Sequence, residues 1–204
     1  SLILAFYNSQ GRLPNYLTLR EVGESTVSGE SIQELIQDGT GITFSTITEF
    51  YNKIIIPYAA YSDPIYYNDI KTLKQEIQVI IDNVKGSYTG NSHQLNCCDF
   101  AGLIAALAVE MGYGEPGEDV ILWSFRCISY ECYHAVVLIK TKEFANSSVS
   151  LNTTAWTSSV KTYKGAIVDG AAGASDRYPI KSFWCSATDY RAGREPNWLA
   201  YESL

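Results

Sequence analysis

Cys97, His134 and Asp169 are the residues whose types and order could carry covalent chemistry. Asn96 is placed to cap a helix with Asp99 at its third position, which makes Cys97 the first helical residue. Unpaired N–H groups and the helix dipole favour a thiolate there, the form in which cysteine attacks a carbonyl. Cys98 lies about 100° further around the helix, so only one of the adjacent thiols can face a given substrate. His134 opens an alternation with Val136 and Leu138 along a strand, opposite Tyr133, Ala135, Val137 and Ile139. If the His134 face meets the helix, the imidazole could take the thiol proton and return it to a departing amine. Asp169 ends an apolar strand just before Gly170-Ala171-Ala172-Gly173 and could orient the imidazole from its far nitrogen. Each residue also has a plainer reading, as a buried small hydrophobe, a structural strand histidine or a turn aspartate. Sequence order alone does not choose between them.

Other chemistries are thinly supplied. With two histidines, five cysteines and no CxxC pair, most zinc ligand sets are unavailable, and His93, Cys97 and His134 make the one rival set worth naming. No metal site and no required cofactor are predicted, although scattered oxygens are compatible with a structural calcium. Cys127 and Cys132 could bridge across a hairpin or remain ordinary buried thiols.

The elements that must position the triad follow from periodicity and punctuation. Ser31 to Gln37 reads as a short helix ended by Asp38-Gly39, and Thr46 with Glu49 forms a capping box for a helix that Pro57 stops after Ile56. From Asn68 to Val84, Ile70, Leu73, Ile77, Ile80 and Val84 recur at helical steps. Phe100, Leu103, Ile104, Leu107, Ala108 and Met111 give the Cys97 helix a wide apolar stripe that Gly112 ends. Strands are expected at Val120–Phe125, Tyr133–Thr141 and Gly165–Val168, with a hairpin excursion over Asn146–Ser159. Helices followed by strands predict an α+β fold in which the Cys97 helix packs on an antiparallel sheet. The tail with Trp184, Cys185 and Trp198 is expected to wrap over that sheet. Residues 1 to about 42 form a unit too small to hold a core alone, carrying Gly11-Arg12-Leu13-Pro14-Asn15-Tyr16 and a strand-like Leu17-Thr18-Leu19.

Fifteen Lys and Arg against 22 Asp and Glu leave a net charge of -7, and no basic block argues for nucleic acid or an anionic membrane surface. Phe100 to Val109 is about half the roughly twenty apolar residues a bilayer needs. No signal peptide is visible, so synthesis in the cytoplasm without stable membrane association is expected.

Asn96-Cys97-Cys98-Asp99-Phe100-Ala101-Gly102-Leu103, then His134-Ala135-Val136-Val137 and Ile167-Val168-Asp169-Gly170-Ala171-Ala172, together resemble the transglutaminase-like cysteine peptidase pattern. The tail Lys181-Ser182-Phe183-Trp184-Cys185, the later Asn197-Trp198-Leu199 and the N-terminal Gly11 to Thr18 motif are similar to the pseudomurein endoisopeptidases and their wall-binding repeat. The resemblance implies a transglutaminase-like or papain-like core with Cys97 as nucleophile, His134 as base and Asp169 as orienter. It also implies a division into a mainly helical wall-binding element at residues 1–60 and a peptidase domain at residues 61–204. Val136 stands where many members carry an aromatic, and Gly170 where proline is usual.

What the resemblance implies for function is lysis of methanogen cell walls by hydrolysis of the alanine-to-lysine side-chain isopeptide bond in pseudomurein crosslinks. The enzyme would act at the wall during archaeal virus release. Gln94 and the backbone N–H of Cys97 or Cys98 are the oxyanion candidates, Gln94 ranking ahead of Asn96 because Asn96 is the cap. Tyr58, Tyr61, Tyr66 and Tyr67 cluster outside periodic structure and are expected to touch substrate, while Arg12, Leu13, Pro14, Asn15 and Tyr16 are expected to bind wall. Acyl transfer to an amine through the same triad, and a wall-binding protein with no catalysis, are the rival functions.

Overall fold

The computed structural model describes residues 31–61, 71–87, 93–127, 132–152 and 160–171. In chain order these hold α1 (Ile32–Thr40), α2 (Ile47–Phe50), a π-helical turn (Tyr51–Ile55), α3 (Ile56–Tyr58), β1 (Ala60–Tyr61), α4 (Leu73–Lys85), β2 (Gln94–Leu95) and α5 (Cys97–Glu110). There follow β3 (Val120–Cys127), β4 (Cys132–Ile139), a 3-10 turn (Lys142–Phe144), β5 (Ser148–Asn152), β6 (Val160–Lys164) and β7 (Ala166–Val168). The architecture is mixed α+β, with helices packed against sheets.

Caps decide where the helices begin. Ser31 with Glu34 and Thr72 with Gln75 form complete capping boxes for α1 and α4, each satisfying two backbone donors that helix starts leave unpaired. α4 therefore opens at Thr72, later than the Asn68 that periodicity suggests, while residues 68–70 lie outside the described part. The Thr46 box is only half made. Thr46 accepts from the Glu49 N–H at 3.1 Å, but Glu49 turns back to the Ser45 N–H at 2.7 Å.

Two expected helix ends move, for different reasons. α1 runs through Asp38-Gly39 to Thr40 and closes at Gly41, whose φ of 72° suits glycine. Gly39 instead lets α4 approach, since a Cβ there would stand 2.3 Å from Ile81 Cδ1. Pro57 does not stop its helix after Ile56. The turn before it widens so that the Ile56 N–H reaches Tyr51 O, and a widened turn relieves the clash and missing donor that proline brings to a regular helix.

β3, β4 and β7 form an antiparallel sheet with β4 in the middle, and β5 and β6 pair as a separate hairpin. β1 and β2 pair in parallel, Ala60 with Gln94 and Tyr61 with Leu95. One hydrophobic core joins α1, α2, α4, α5 and one face of the three-stranded sheet, through residues such as Ile36, Phe50, Ile80, Leu103 and Val137. Among the described residues no helix is long and apolar enough to cross a membrane. The expected wrap of the Trp184–Trp198 tail, and the Leu17–Leu19 strand, fall outside the described residues.

Candidate active site

The first turn of α5 is tied at both ends of its cap. Asn96 Oδ1 accepts from the N–H of Cys98 at 2.8 Å and of Asp99 at 3.0 Å, and Asp99 Oδ2 accepts from the Asn96 N–H at 3.0 Å. This is the box the spacing predicts, and it makes Cys97 the first residue of the helix. Cys97 is 5% exposed and part of the core, while Cys98 is half-buried. The cap corrects one expectation. The Cys98 N–H is already held by Asn96, so it is not a ready oxyanion donor.

Asp99 does more than cap. It is wholly buried, and its Oδ1 accepts the main-chain N–H of Lys71 at 2.9 Å, with the Lys71 ammonium 4.0 Å from Oδ2. Burial raises its carboxyl above the ordinary range, while hydrogen bonds from the Asn96 and Lys71 backbone and the Lys71 charge pull the other way.

The third expected residue is brought to the same end of the helix. β7 ends at Val168, and Asp169 is buried with its carbonyl accepting from the Tyr51 hydroxyl at 2.7 Å. Gly170 lies so close to Phe100 that an added Cβ would be 2.8 Å from Phe100 Cβ, Cγ and Cδ1. Phe100 N–H bonds to Asn96 O at 3.0 Å, so the corner at Asp169 stands against the turn that carries Cys97.

His134 is in β4, paired with Phe125. The β4–β7 register pairs Val137 with Val168 and Leu138 with Ile167. The ladder ends at the Val137–Val168 pair, so Asp169 leaves the sheet beside the part of β4 that holds His134 and Val136. The series of β4 that packs on the helix is the other one, however. Ala135, Val137 and Ile139 belong to the core shared with α5, as do Val120, Leu122 and Val168, whereas Val136 and Leu138 are buried outside it. Both series are apolar because the sheet is covered on both sides, so hydrophobicity could not tell which side held the helix.

Gln94 is partly buried in β2, opposite Ala60. Tyr58 is 43% exposed, but it is the last residue of α3 rather than outside periodic structure. Tyr61 is partly buried against the core, paired with the fully buried Leu95 two residues before Cys97. Tyr66, Tyr67, Arg12, Leu13, Pro14, Asn15 and Tyr16 lie outside the described residues. His93 is partly buried and its carbonyl accepts from Asn83 Nδ2 at 2.9 Å. No group of three or more metal-ligating side chains occurs among the described residues. Cys127 and Cys132 are direct register partners across the β3–β4 ladder.

Three contributors escaped the sequence reading: Lys71, Tyr51 and Glu76. Glu76 did leave a signal, because it falls three residues after Leu73 and four before Ile80, inside the apolar stripe of α4. It is 5% exposed there. Burial, and then the charge of Asp99, hold its carboxyl well above the ordinary range, with Lys71 opposing.

No protein-family model matches the chain, and no curated protein matches it either.

Proposed function

We propose that the chain is a cysteine hydrolase of the transglutaminase-like class that opens the alanine-to-lysine isopeptide bond of pseudomurein crosslinks. The observation that carries the reading is the meeting of the Asp169–Gly170 corner with the first turn of α5, where Cys97 heads the helix. Sequence resemblance supplies the substrate, and the adjacency of β4, which holds His134, to β7, which Asp169 follows, supports the two as a pair.

In this reaction the Cys97 thiolate attacks the isopeptide carbonyl, and His134 protonates the departing lysine amine to leave a thioester on Cys97. Water activated by the same imidazole then releases the carboxylate and restores the thiol. The helix-side residues of β4 are Ala135, Val137 and Ile139, so the base role of His134 rests on the resemblance and not on the packing of β4 against α5. Gln94 remains the side-chain candidate for the oxyanion. The enzyme would reach the wall during lysis, with the segment before residue 31 as its wall-binding element.

The low exposure of Cys97 favours a second reading, a wall-binding protein whose buried thiol is inert. Release of lysine side-chain amine from a synthetic alanine-to-lysine isopeptide, under reducing conditions, separates the two. The Cys97→Ala variant should lose at least about 10³-fold in rate while Cys98→Ala stays active. Wall binding by a wild-type chain that releases nothing would establish the second reading, and transfer of the acyl group to an added amine would make the protein an acyltransferase.

A further inference from the structure

Two carboxyl groups are buried together between α4 and α5. Asp99 is 0% exposed and Glu76 is 5% exposed. Gly102, three residues after Asp99 on the same face of α5, marks where Glu76 meets that helix: Glu76 Oε1 would be in ordinary contact, at 3.8 Å, with a Cβ there. The acids are not equivalent. Asp99 accepts two main-chain N–H groups and has the Lys71 ammonium at 4.0 Å, a setting that supports the ionised form. Burial first, and then the charge of Asp99, favour the protonated form of Glu76, with Lys71 opposing. Of the charged groups on elements packed against α4, Asp99 and Lys71 are those that act on it. One cation does not balance two buried carboxylates.

We propose that Glu76 is a positioning residue for Cys97, acting through Asp99: as a neutral acid it lets a charged Asp99 stay closed on the Asn96 cap, and its ionisation loosens that cap. The link is short. Asp99 holds the Asn96 N–H, Asn96 holds the N–H groups of Cys98 and Asp99, and Cys97 sits inside that turn. A second negative charge beside the turn also opposes formation of the Cys97 thiolate. The inference rests on Cys97 being the nucleophile of the proposed hydrolysis.

The test follows alkylation of Cys97 by iodoacetamide across about pH 5 to 10, in the full chain carrying Cys98→Ser, read by mass on the tryptic peptide from Gly86 to Arg126. With Glu76 present the rate profile should show a second inflection beyond that of the thiol. Glu76→Gln, which keeps the shape of the neutral acid, should abolish that inflection and react about tenfold faster where the profiles differ most. Lys71→Met, at a side chain 22% exposed, should move the inflection to higher pH, because the lysine charge favours ionised Glu76. A Glu76→Gln profile that superimposes on the parent overturns the proposal, as does an inflection that Lys71→Met leaves in place. Should Glu76→Gln fail to fold, the lysine variant decides alone. Isopeptide cleavage is measured in parallel, so a clear inflection without cleavage counts against the proposed hydrolysis and not against the role of Glu76.

Discussion

Glu76 should also set how stability responds to pH. In the unfolded chain its carboxyl ionises in the ordinary range, and in the folded chain burial holds the proton to higher pH. Between those two limits the folded state binds more protons than the unfolded state, so stability falls as pH rises and levels off once both are ionised. Asp99 is shifted in the same direction and adds to the slope. Urea melts at about pH 4 and about pH 8 should therefore show Glu76→Gln gaining on the wild type as pH increases. An equal difference at both pH values would mean that Glu76 is not held neutral. The cap on Cys97 was legible in the sequence because Asn96 and Asp99 are three residues apart and the rule joining them is local. Tyr51 meets Asp169 across 118 residues and Lys71 meets Asp99 across 28, distances over which no spacing rule operates.

At the scale of elements, close backbone approaches do what side-chain patterns do not announce. Gly39 against Ile81 seats α1 on α4, and Gly170 against Phe100 seats the end of β7 on α5. A glycine before alanine reads equally well as a turn, so only the contact reveals why a side chain is excluded. Gly170→Ala should force Phe100 or the Asp169 corner to move, at a cost of about 1–3 kcal/mol, and should slow isopeptide cleavage through displacement of Asp169. Thermal melts and turnover of this variant, compared with Gly170→Ala combined with Phe100→Leu, check the cause. Partial recovery of both in the double variant is expected, whereas recovery of neither would show that the contact is not what positions the corner. Helix existence was readable from caps and apolar steps. Helix ends were readable only where a glycine was free to close them, as Gly112 does after α5 with φ 73°, because Asp38-Gly39 and Pro57 are breakers only when the neighbouring chain leaves them free to break.

At the scale of the molecule, the described helices before residue 61 are part of the core rather than an appendage. Ile32, Ile36, Ile47, Phe50, Tyr51, Ile54 and Ile55 are all 0% exposed and share one cluster with α5 and the sheet. Polar contacts tie the same pieces together. Glu110, the last residue of α5, accepts the Ile32 and Gln33 N–H groups at 2.6 and 3.0 Å, placing its charge at the positive end of α1. Tyr113 accepts the Ile47 N–H at 2.8 Å and donates to Glu143 at 2.7 Å, joining α2 to the end of α5 and to the turn after β4. α1 thus starts at the Glu110 end of α5, about 20 Å of helix away from Cys97. The resemblance implied a boundary at residue 60, and a short helical stretch looks the same in sequence whether it stands apart or fills a neighbour's core. A fragment comprising residues 61–204 should therefore lack a cooperative thermal transition, since each large buried side chain it loses is worth about 2–5 kcal/mol against a total stability of roughly 5–15 kcal/mol. Calorimetry on that fragment decides the matter: a sharp transition like that of the whole chain would show that the part carrying Cys97 folds without the helices packed against it.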